Sequence, residues 1–216
     1  MGAHAIVGAG GQGRVVLEAW RAQHPNDEFV FVDDNAALHG TEILGAKVIG
    51  PLSALSGWKG DVILAIGHNP NRLQMAERFS KSVTWGKVIH PTAWVAPSAT
   101  IGEGSVVFAK VVINTGAVVG NHSIVNTGVI VEHDRILGVC SSVSPGACMG
   151  GRVEIGEGAF ISTGVTLAPR TKVGAHAVVG AGAVVVNELP PRTLSLGVPA
   201  KVVRTLDASF DWKRLL

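Results

Sequence analysis

One histidine in the chain lies between two carboxylates. The segment Glu132-His133-Asp134-Arg135 brings four titratable side chains into a stretch that is otherwise apolar or small. Histidine titrates near neutral pH, so an outward-facing imidazole beside a carboxylate can accept a proton as a general base. The segment therefore predicts proton-transfer chemistry centred on His133.

A glycine-rich loop near the start of the chain is a second candidate site. It has the GxGxxG pattern over 8–13, between a predicted strand over 4–9 and a predicted helix over 14–23. This arrangement places phosphate groups at a helix N-terminus and favours a nucleotide or nucleotide sugar. Glycines that only allow tight packing are the alternative. NAD is disfavoured because a unit of about 85 residues is too short for the full doubly wound sheet.

Two acidic residues and a further glycine belong to the same predicted sheet edge. Asp33 and Asp34 follow a predicted strand over 28–32, and Gly67 follows another over 61–66. Ligands of open α/β sheets bind at the carboxyl ends of the strands, where an acidic residue suits a ribose or base. We therefore expect these three residues beside the glycine loop.

A six-residue period organises the rest of the chain and positions His133. Every sixth residue from Ile89 to Val185 has a large apolar side chain, and the residue four places later is usually small. Such a period predicts a parallel β-helix in which three hexads close one coil, with coils stacked about 4.8 Å apart. Arg135 takes one of the small-residue places, and a break in a repeat marks a candidate functional site.

These patterns divide the chain into two domains and a tail. Residues 1–87 are expected to form a small Rossmann-like α/β domain, and residues 88–190 a β-helix. Proline cannot donate a backbone hydrogen bond, so Pro190 and Pro191 are expected to deny the next coil its hydrogen bonds. Residues 191–216 would then be a tail or cap, with a short helix around its apolar residues Phe210, Trp212, Leu215 and Leu216.

Composition excludes several classes of function. The net charge is +2 with no basic cluster, so nothing points to nucleic acid. Residues 111–131 contain no Asp, Glu, Lys or Arg, but their Asn and His residues and the unbroken hexad frame argue against membrane insertion. Cys140 and Cys148, without a signal peptide, are interpreted as reduced thiols in the cytoplasm.

Several segments together match one known family. They are the loop over 8–13, residues 31–34 and 65–67, the hexads, residues 125–134, Ser144-Pro-Gly146 and residues 197–201. As a set, they resemble the bacterial nucleotide-sugar acetyltransferases of the left-handed β-helix superfamily. That family includes UDP-4-amino-sugar N-acetyltransferases, perosamine N-acetyltransferases and sialic acid O-acetyltransferases.

The resemblance implies acetyl transfer from acetyl-CoA to the amino group of a nucleotide-linked 4-amino-4,6-dideoxy sugar, without a metal. It also implies a cytoplasmic homotrimer with active sites between subunits. His133 matches the general base, Asp134 the acidic residue that orients it, and the Gly151 N–H the donor to the oxyanion. The implied acceptor contacts are Gly10, Gly11, Gln12, Asp33, Asp34, Gly67 and Asn126. The positions that match the coenzyme A groove are Ser142, Thr163 and Ala181.

Three positions depart from the family pattern. Gln12 and Ser142 stand where several relatives have histidine. Gln12 can still hydrogen-bond a base or phosphate, whereas Ser142 is a shorter donor at the thioester. Arg135 stands where relatives have a small residue, and is interpreted as a solvated side chain, with a contact to CoA phosphate as the alternative.

Other functions fit parts of the sequence. A sugar O-acetyltransferase would use the same fold on a hydroxyl acceptor. A hydratase of the γ-carbonic anhydrase type needs three imidazoles on zinc, but His122, His133 and His176 lack its spacing. A non-catalytic sensor of nucleotide sugars would not need the pair His133-Asp134. The acceptor's nucleotide remains open between UDP, GDP and dTDP.

Overall fold

The computed structural model describes residues 3–207, which begin with a six-stranded sheet and two helices. In chain order these are β1 (Ala3–Val7), α1 (Gly11–Gln23), β2 (Glu28–Val32), β3 (Glu42–Ile43), β4 (Ala46–Gly50), β5 (Asp61–Leu64), α2 (Asn69–Phe79) and β6 (Thr84–Trp85). The sheet order is β3-β4-β2-β1-β5-β6, and all pairs except β3–β4 are parallel. The predicted Rossmann-like α/β domain is confirmed.

The α1 face of this sheet shares its hydrophobic core with the second domain. Trp20 and Phe31 belong to the same buried cluster as Val106, Phe108 and Ile124 of the β-helix. Each fully buried side chain of this size contributes about 1.5–3 kcal/mol. The two domains are therefore packed together rather than joined by a free linker. No helix within residues 3–207 is long and apolar enough to cross a membrane.

The second domain is a triangular prism of two-residue strands. In chain order these are β7 (Val88–Ile89), β8 (Trp94–Val95), β9 (Thr100–Ile101), β10 (Val106–Val107), β11 (Val112–Ile113), β12 (Val118–Val119), β13 (Ile124–Val125), β14 (Ile130–Val131), β15 (Ile136–Leu137), β16 (Ser142–Val143), β17 (Cys148–Met149), β18 (Glu154–Ile155), β19 (Phe160–Ile161), β20 (Thr166–Leu167), β21 (Lys172–Val173), β22 (Val178–Val179) and β23 (Val184–Val185). Each pairs in parallel with the strand eighteen residues away, as Val107 does with Val125. The resulting three sheets confirm the predicted hexapeptide β-helix, whose coil is left-handed.

The inward residue of each strand forms one continuous core from Val107 to Val185. Between strands, the chain turns through a residue with positive φ at every sixth position from Gly104 to Gly182. Glycine adopts this conformation without strain, and Asp tolerates it better than most residues. Half of these corners have a side chain, and Asp134 is one of them, with φ of 56°.

The six-residue frame ends at Val185, as the sequence predicts, but the pairing of strands continues beyond it. After Pro190 and Pro191, β24 (Thr193–Leu196) pairs in parallel with β22, and β25 (Lys201–Thr205) returns antiparallel to β24. The prediction that the prolines deny the next coil its hydrogen bonds is therefore wrong. The seven-residue segment between β23 and β24 contains both prolines, and β24 then pairs with β22 at an offset of sixteen residues instead of eighteen. The helix predicted around Phe210 lies outside the described residues.

Candidate active site

His133 and Asp134 form a hydrogen-bonded pair on one edge of the prism. We call this the base edge, the corner formed by residues 114–117, 132–135, 150–153 and 168–171. His133 Nδ1 donates to Asp134 Oδ2 at 2.9 Å, and both side chains are about half exposed. This hydrogen bond, together with the positive charges of Arg152 and Arg135, holds the pKa of Asp134 below its usual value. With Nδ1 engaged, Nε2 is the nitrogen that can accept a proton.

Two glycines on neighbouring coils leave room for this pair. A Cβ on Gly116 would lie 2.7 Å from Asp134 Oδ1, and a Cβ on Gly151 would lie 3.0 Å from His133 Nε2. Any other residue at either place would push against the pair. Gly116 was not identified from the sequence, although it lies one coil of eighteen residues before Asp134.

Gly151 also presents a free donor beside the imidazole. Within residues 3–207, its N–H donates to no protein acceptor, whereas its carbonyl accepts from Arg170 N–H at 2.8 Å. An unpaired backbone N–H near a proton acceptor can bind an oxygen that develops negative charge. The base edge therefore brings together all three residues predicted to be catalytic.

Arg135 is buried, so its interpretation as a solvated side chain is wrong. Its exposed fraction is 0%. Nε donates to Glu132 O at 3.2 Å, and Nη2 donates to Met149 O at 3.0 Å. Burial lowers the pKa of the guanidinium to about 10, which leaves it charged at neutral pH. The small-residue place of the hexad faces inward, and Arg135 follows that direction.

A cleft of about 220 Å³ lies at a different edge, between the prism and the α/β domain. We call this the cleft edge, the corner formed by residues 108–111, 126–129, 144–147, 162–165 and 180–183. The residues that line the cleft are Gln12, Gly67, Ile124, Asn126, Ser142, Val143, Ser144, Pro145, Phe160 and Thr163. It thus brings together five of the predicted binding residues, and Ala181 lies on the same edge outside it. Ser144 and Phe160 were not among the predicted binding residues.

The glycine loop opens towards this cleft. Gln12 Nε2 is buried and has no hydrogen-bond partner within residues 3–207. Nothing lies within 4 Å of a Cβ built on Gly10 or Gly11, so the space before α1 is open. By contrast, Gly13 is required by the fold, because its Cβ would meet Gly8 O at 2.0 Å. The loop therefore combines unpaired donors with room for a ligand.

Asp33 and Asp34 are both tied to backbone N–H groups. Asp33 accepts from Ala9 N–H and Asn35 N–H, each at 2.8 Å, and Asp34 accepts from Leu52 N–H at 2.9 Å. Asp33 thus holds the glycine loop in place while remaining partly exposed at the predicted sheet edge.

A buried polar cluster joins α2 to the prism beneath the cleft. The exposed fractions of Arg72 and Asn69 are 0%. Arg72 donates to Ser142 Oγ at 2.9 Å, and Ser142 Oγ donates to Asn69 Oδ1 at 2.6 Å. The hydroxyl proton of Ser142 is therefore already engaged in a hydrogen bond within the protein. The sequence placed Arg72 in the first turn of a helix, but gave no local signal for this contact.

Within residues 3–207, Arg72 donates to carbonyl and hydroxyl oxygens and to no carboxylate. Its guanidinium also donates to the carbonyls of Ile66 at 2.6 Å, His122 at 2.8 Å and Cys140 at 2.9 Å. Burial lowers the pKa of Arg72 to about 10, so it remains charged at neutral pH. One charged side chain thus holds backbone groups from both domains.

The three histidines weighed as zinc ligands do not converge. His122 packs edge-on against Trp85, His133 binds Asp134, and His176 lies 3.8 Å from Glu157. Within residues 3–207, no group of three His, Cys, Asp or Glu side chains could hold a metal ion. Burial, followed by the charge of Arg72, lowers the pKa of His122 to about 4.

Comparison with known proteins matches both domains. The family model of the PglD N-terminal domain matches residues 5–79, and that of the bacterial transferase hexapeptide (six repeats) matches residues 152–187. The acetyltransferase domain of PglB from Neisseria gonorrhoeae is 38% identical with a TM-score of 0.88, over 94% of this chain and 100% of that one.

Two further relatives are linked to nucleotide sugars, one by its bound ligand and one by its name. PerB from Caulobacter crescentus, solved with CoA and GDP-perosamine, is 36% identical with a TM-score of 0.87, over 94% of this chain and 98% of that one. UDP-N-acetylbacillosamine N-acetyltransferase from Bacillus subtilis is 35% identical over 113 residues. The match covers 49% of this chain and 50% of that protein, so the chain spans about half the length of this curated relative.

The fold and the histidine–carboxylate edge define an acyltransferase of the left-handed β-helix class. Two solved relatives are more than 30% identical to this chain over nearly their full length, and this similarity specifies the family. The chain belongs to the hexapeptide-repeat family of nucleotide-sugar N-acetyltransferases.

Proposed function

We propose that this protein transfers acetyl from acetyl-CoA to the amino group of a nucleotide-linked 4-amino-4,6-dideoxy sugar. The observation that carries the proposal is the base edge. There, Asp134 engages His133 Nδ1, and Nε2 lies beside the unpaired N–H of Gly151. Acetyl transfer to an amine needs a proton acceptor and an oxyanion donor at neighbouring positions.

The proposed reaction is an addition followed by an elimination. As the amine nitrogen bonds to the thioester carbon, His133 Nε2 accepts the proton that the amine loses. Gly151 N–H stabilises the negative carbonyl oxygen of the tetrahedral intermediate. When the C–S bond breaks, the imidazolium of His133 returns its proton to the sulfur of CoA. General-base catalysis of this kind contributes about 10²–10⁴-fold.

The acceptor is proposed to bind in the cleft beside the glycine loop. Its phosphates would lie at the N-terminus of α1, over Gly10 and Gly11, where no side chain intervenes. Gln12 would donate its unpaired amide to the acceptor. Asp33, Asp34 and Gly67 would contact the nucleoside from the same sheet edge, and Asn126 would contact the sugar.

A homotrimer is proposed because the two halves of the site lie on different edges of one prism. Asn126 is on the cleft edge, whereas His133 is on the base edge, with strand β14 between them. A second copy can bring its base edge to the cleft edge of the first, and a cyclic trimer repeats this contact three times. The outer side chains Trp94, Ile130 and Ile136 are exposed and apolar, as an interface would require.

Coenzyme A is proposed to lie along the cleft edge, across Thr163 and Ala181, which are one coil apart. Ser142 lines the same cleft, but its hydroxyl proton is given to Asn69. Its proposed part is therefore to shape the groove rather than to donate to the thioester. We place the reaction in the cytoplasm, where the chain's thiols would remain reduced.

A thiol-release assay tests the proposed function. Acetyl-CoA and the protein are mixed with UDP-, GDP- and dTDP-linked 4-amino-4,6-dideoxy sugars, and with free sialic acid. Release of CoA with one amino sugar, and N-acetyl product by mass, is the expected result. Release only with sialic acid would indicate acetyl transfer to a hydroxyl instead of an amine. No release with any acceptor would refute the proposal.

A further inference from the structure

Arg135 occupies a place that small or β-branched side chains fill elsewhere in the prism. From Ser105 onwards, the fifth residue of each hexad faces inward and is buried, as at Ala117, Val153 and Thr171 on the same edge. Arg135 is equally buried, but its side chain is far longer and charged. The hexad pattern alone does not account for it.

One hydrogen bond of the regular ladder is absent beside Arg135. Elsewhere on this edge, the residue after each strand donates to the strand eighteen residues on. The four regular bonds are Ala96 N–H to Ile113 O, Asn114 N–H to Val131 O, Gly150 N–H to Leu167 O and Ala168 N–H to Val185 O, at 2.8–2.9 Å. Within residues 3–207, no hydrogen bond joins Glu132 N–H to Met149 O.

Arg135 takes the acceptor that this missing bond would have used. Its Nη2 donates to Met149 O, and its Nε donates to Glu132 O. The next bond of the ladder, from Arg152 N–H to His133 O, is stretched to 3.4 Å. The guanidinium therefore separates the turn that carries His133 from the turn that carries Gly151.

Stability does not explain this arrangement. Arg135 Nη1 is buried and has no hydrogen-bond partner within residues 3–207. An unpaired buried donor and a lost ladder bond both destabilise a fold. A small or β-branched apolar residue, such as Ala117 or Val153 on the two neighbouring coils, would avoid both.

We propose that Arg135 is a positioning residue that holds the His133 turn away from the regular coil, at its working separation from Gly151. This inference rests on the proposed function, because it assigns His133 and Gly151 their roles there. Without the guanidinium, the Glu132 N–H is free to bond to Met149 O, and the turn moves towards Gly151. A shift of about 1 Å at a catalytic group is enough to lower a rate substantially.

The test compares Arg135→Ala and Arg135→Lys with the unchanged protein. Crystal structures give the Glu132 N to Met149 O distance, and steady-state kinetics give kcat and both KM values. Arg78→Ala is the control, since it removes one exposed arginine on α2, which hydrogen-bonds to a different edge of the prism. Thermal unfolding shows whether each variant is folded.

In Arg135→Ala, we expect the Glu132–Met149 bond to form, at about 2.9 Å. We also expect kcat to fall at least tenfold, with both KM values within threefold and unfolding temperature unchanged or raised. Arg135→Lys should recover part of kcat, because it can reach one carbonyl but not hold both. An unmoved turn, or an unchanged kcat in Arg135→Ala, would overturn the proposal.

If the unchanged protein transferred acetyl to none of the amino sugars, the proposed function would fail by itself. The crystal structure of Arg135→Ala would still decide whether Arg135 holds the turn. A moved turn would support that part of the inference, and an unmoved turn would refute it whatever the acceptor. If Arg135→Ala fails to fold, the Arg135→Lys structure and kcat decide in the same way.

Discussion

At the scale of single residues, the placement of His133 and Asp134 depends on two neighbours that have no side chain. Gly116 leaves the space that the Asp134 carboxylate fills, and Gly151 leaves the space in front of His133 Nε2. Asp134 reaches His133 from a corner with positive φ, where the carboxylate turns back over Gly116. The geometry of the pair is therefore set by adjacent coils.

Replacing His133 by alanine tests the base directly. In His133→Ala, we expect kcat to fall by about 10²–10⁴-fold, because the base edge has no other imidazole to act as the general base. Thermal unfolding should be unchanged, since the imidazole is half exposed and its hydrogen-bond partner Asp134 lies on the same corner. The thiol-release assay measures the rate. A kcat within threefold of the unchanged protein would remove His133 from the mechanism.

Gly116→Ala tests the space beneath Asp134. The new Cβ would meet Asp134 Oδ1, so the carboxylate must leave His133, and we expect kcat to fall about tenfold or more. Alanine at positive φ also destabilises by about 1–2 kcal/mol. Gly57→Ala is the matched control, because it has φ of 74° and open space around its Cβ. Equal losses of kcat in both variants would contradict the role of Gly116.

At the scale of elements, α2 is joined to the prism by one charged side chain. Arg72 donates to backbone carbonyls of both domains and to Ser142, and Asn69 donates to Gly158 O and Ala159 O. The same helix begins just after Gly67, which lines the cleft. The position of Gly67 relative to the prism therefore depends on this contact.

Arg72→Met keeps the length of the side chain but removes every donor. We expect a loss of at least about 3 kcal/mol in unfolding free energy, because several buried carbonyls lose their partner. Urea unfolding measures this value. Arg78→Ala, an exposed arginine on the same helix, should change it by less than about 0.5 kcal/mol. A similar small loss in Arg72→Met would show that packing alone holds α2.

The contact between α2 and the prism also predicts a pH dependence through His122. Its folded pKa of about 4 lies below the usual 6.5, so the unfolded chain binds a proton that the folded chain excludes. Stability is therefore complete above pH 6.5 and falls as the pH drops towards 4. The full shift corresponds to roughly 3 kcal/mol, and we expect about 2 kcal/mol after partial screening by solvent.

His122→Asn isolates this contribution. Asparagine accepts the positive φ of 56° at this corner but does not titrate. Urea unfolding of both proteins at pH 7 and pH 4.5 should therefore show a smaller loss in the variant. Equal losses would assign the acid sensitivity to other groups.

At the scale of the whole molecule, the proposed site needs two copies of the chain. Sedimentation at micromolar concentration should give about 67 kDa, a trimer of chains of 22.3 kDa. Two variants provide a sharper test. His133→Ala lacks the base, and the double variant Gln12→Ala/Asn126→Ala has an altered cleft, so each is expected to be inactive alone. Mixed after unfolding and refolding together, they should recover about a quarter of full activity, because some sites join an intact cleft to an intact base. A mixture that stays inactive would place both halves of each site in one chain.

The sequence predicted the fold better than the contacts between its parts. Every hexad buries one apolar side chain in the same core, so a six-residue frame is enough to predict the prism and to place His133, Asp134 and Gly151 on one edge. Arg135 was misinterpreted because its charge was given more weight than the inward direction of its place in the hexad. The cluster of Arg72, Asn69 and Ser142 depends on how α2 docks, which no local pattern encodes.

The shared core between α1 and the prism limits how such enzymes can exchange parts. Most of the residues proposed to contact the acceptor belong to the α/β domain, and the proposed proton acceptor belongs to the prism, so a hybrid of two relatives would be a simple route to a new substrate. However, Val106, Phe108 and Ile124 belong to the same buried cluster as Trp20. A workable crossover between relatives would have to bring these outer prism residues along with the donor's first domain, or repack them to fit it.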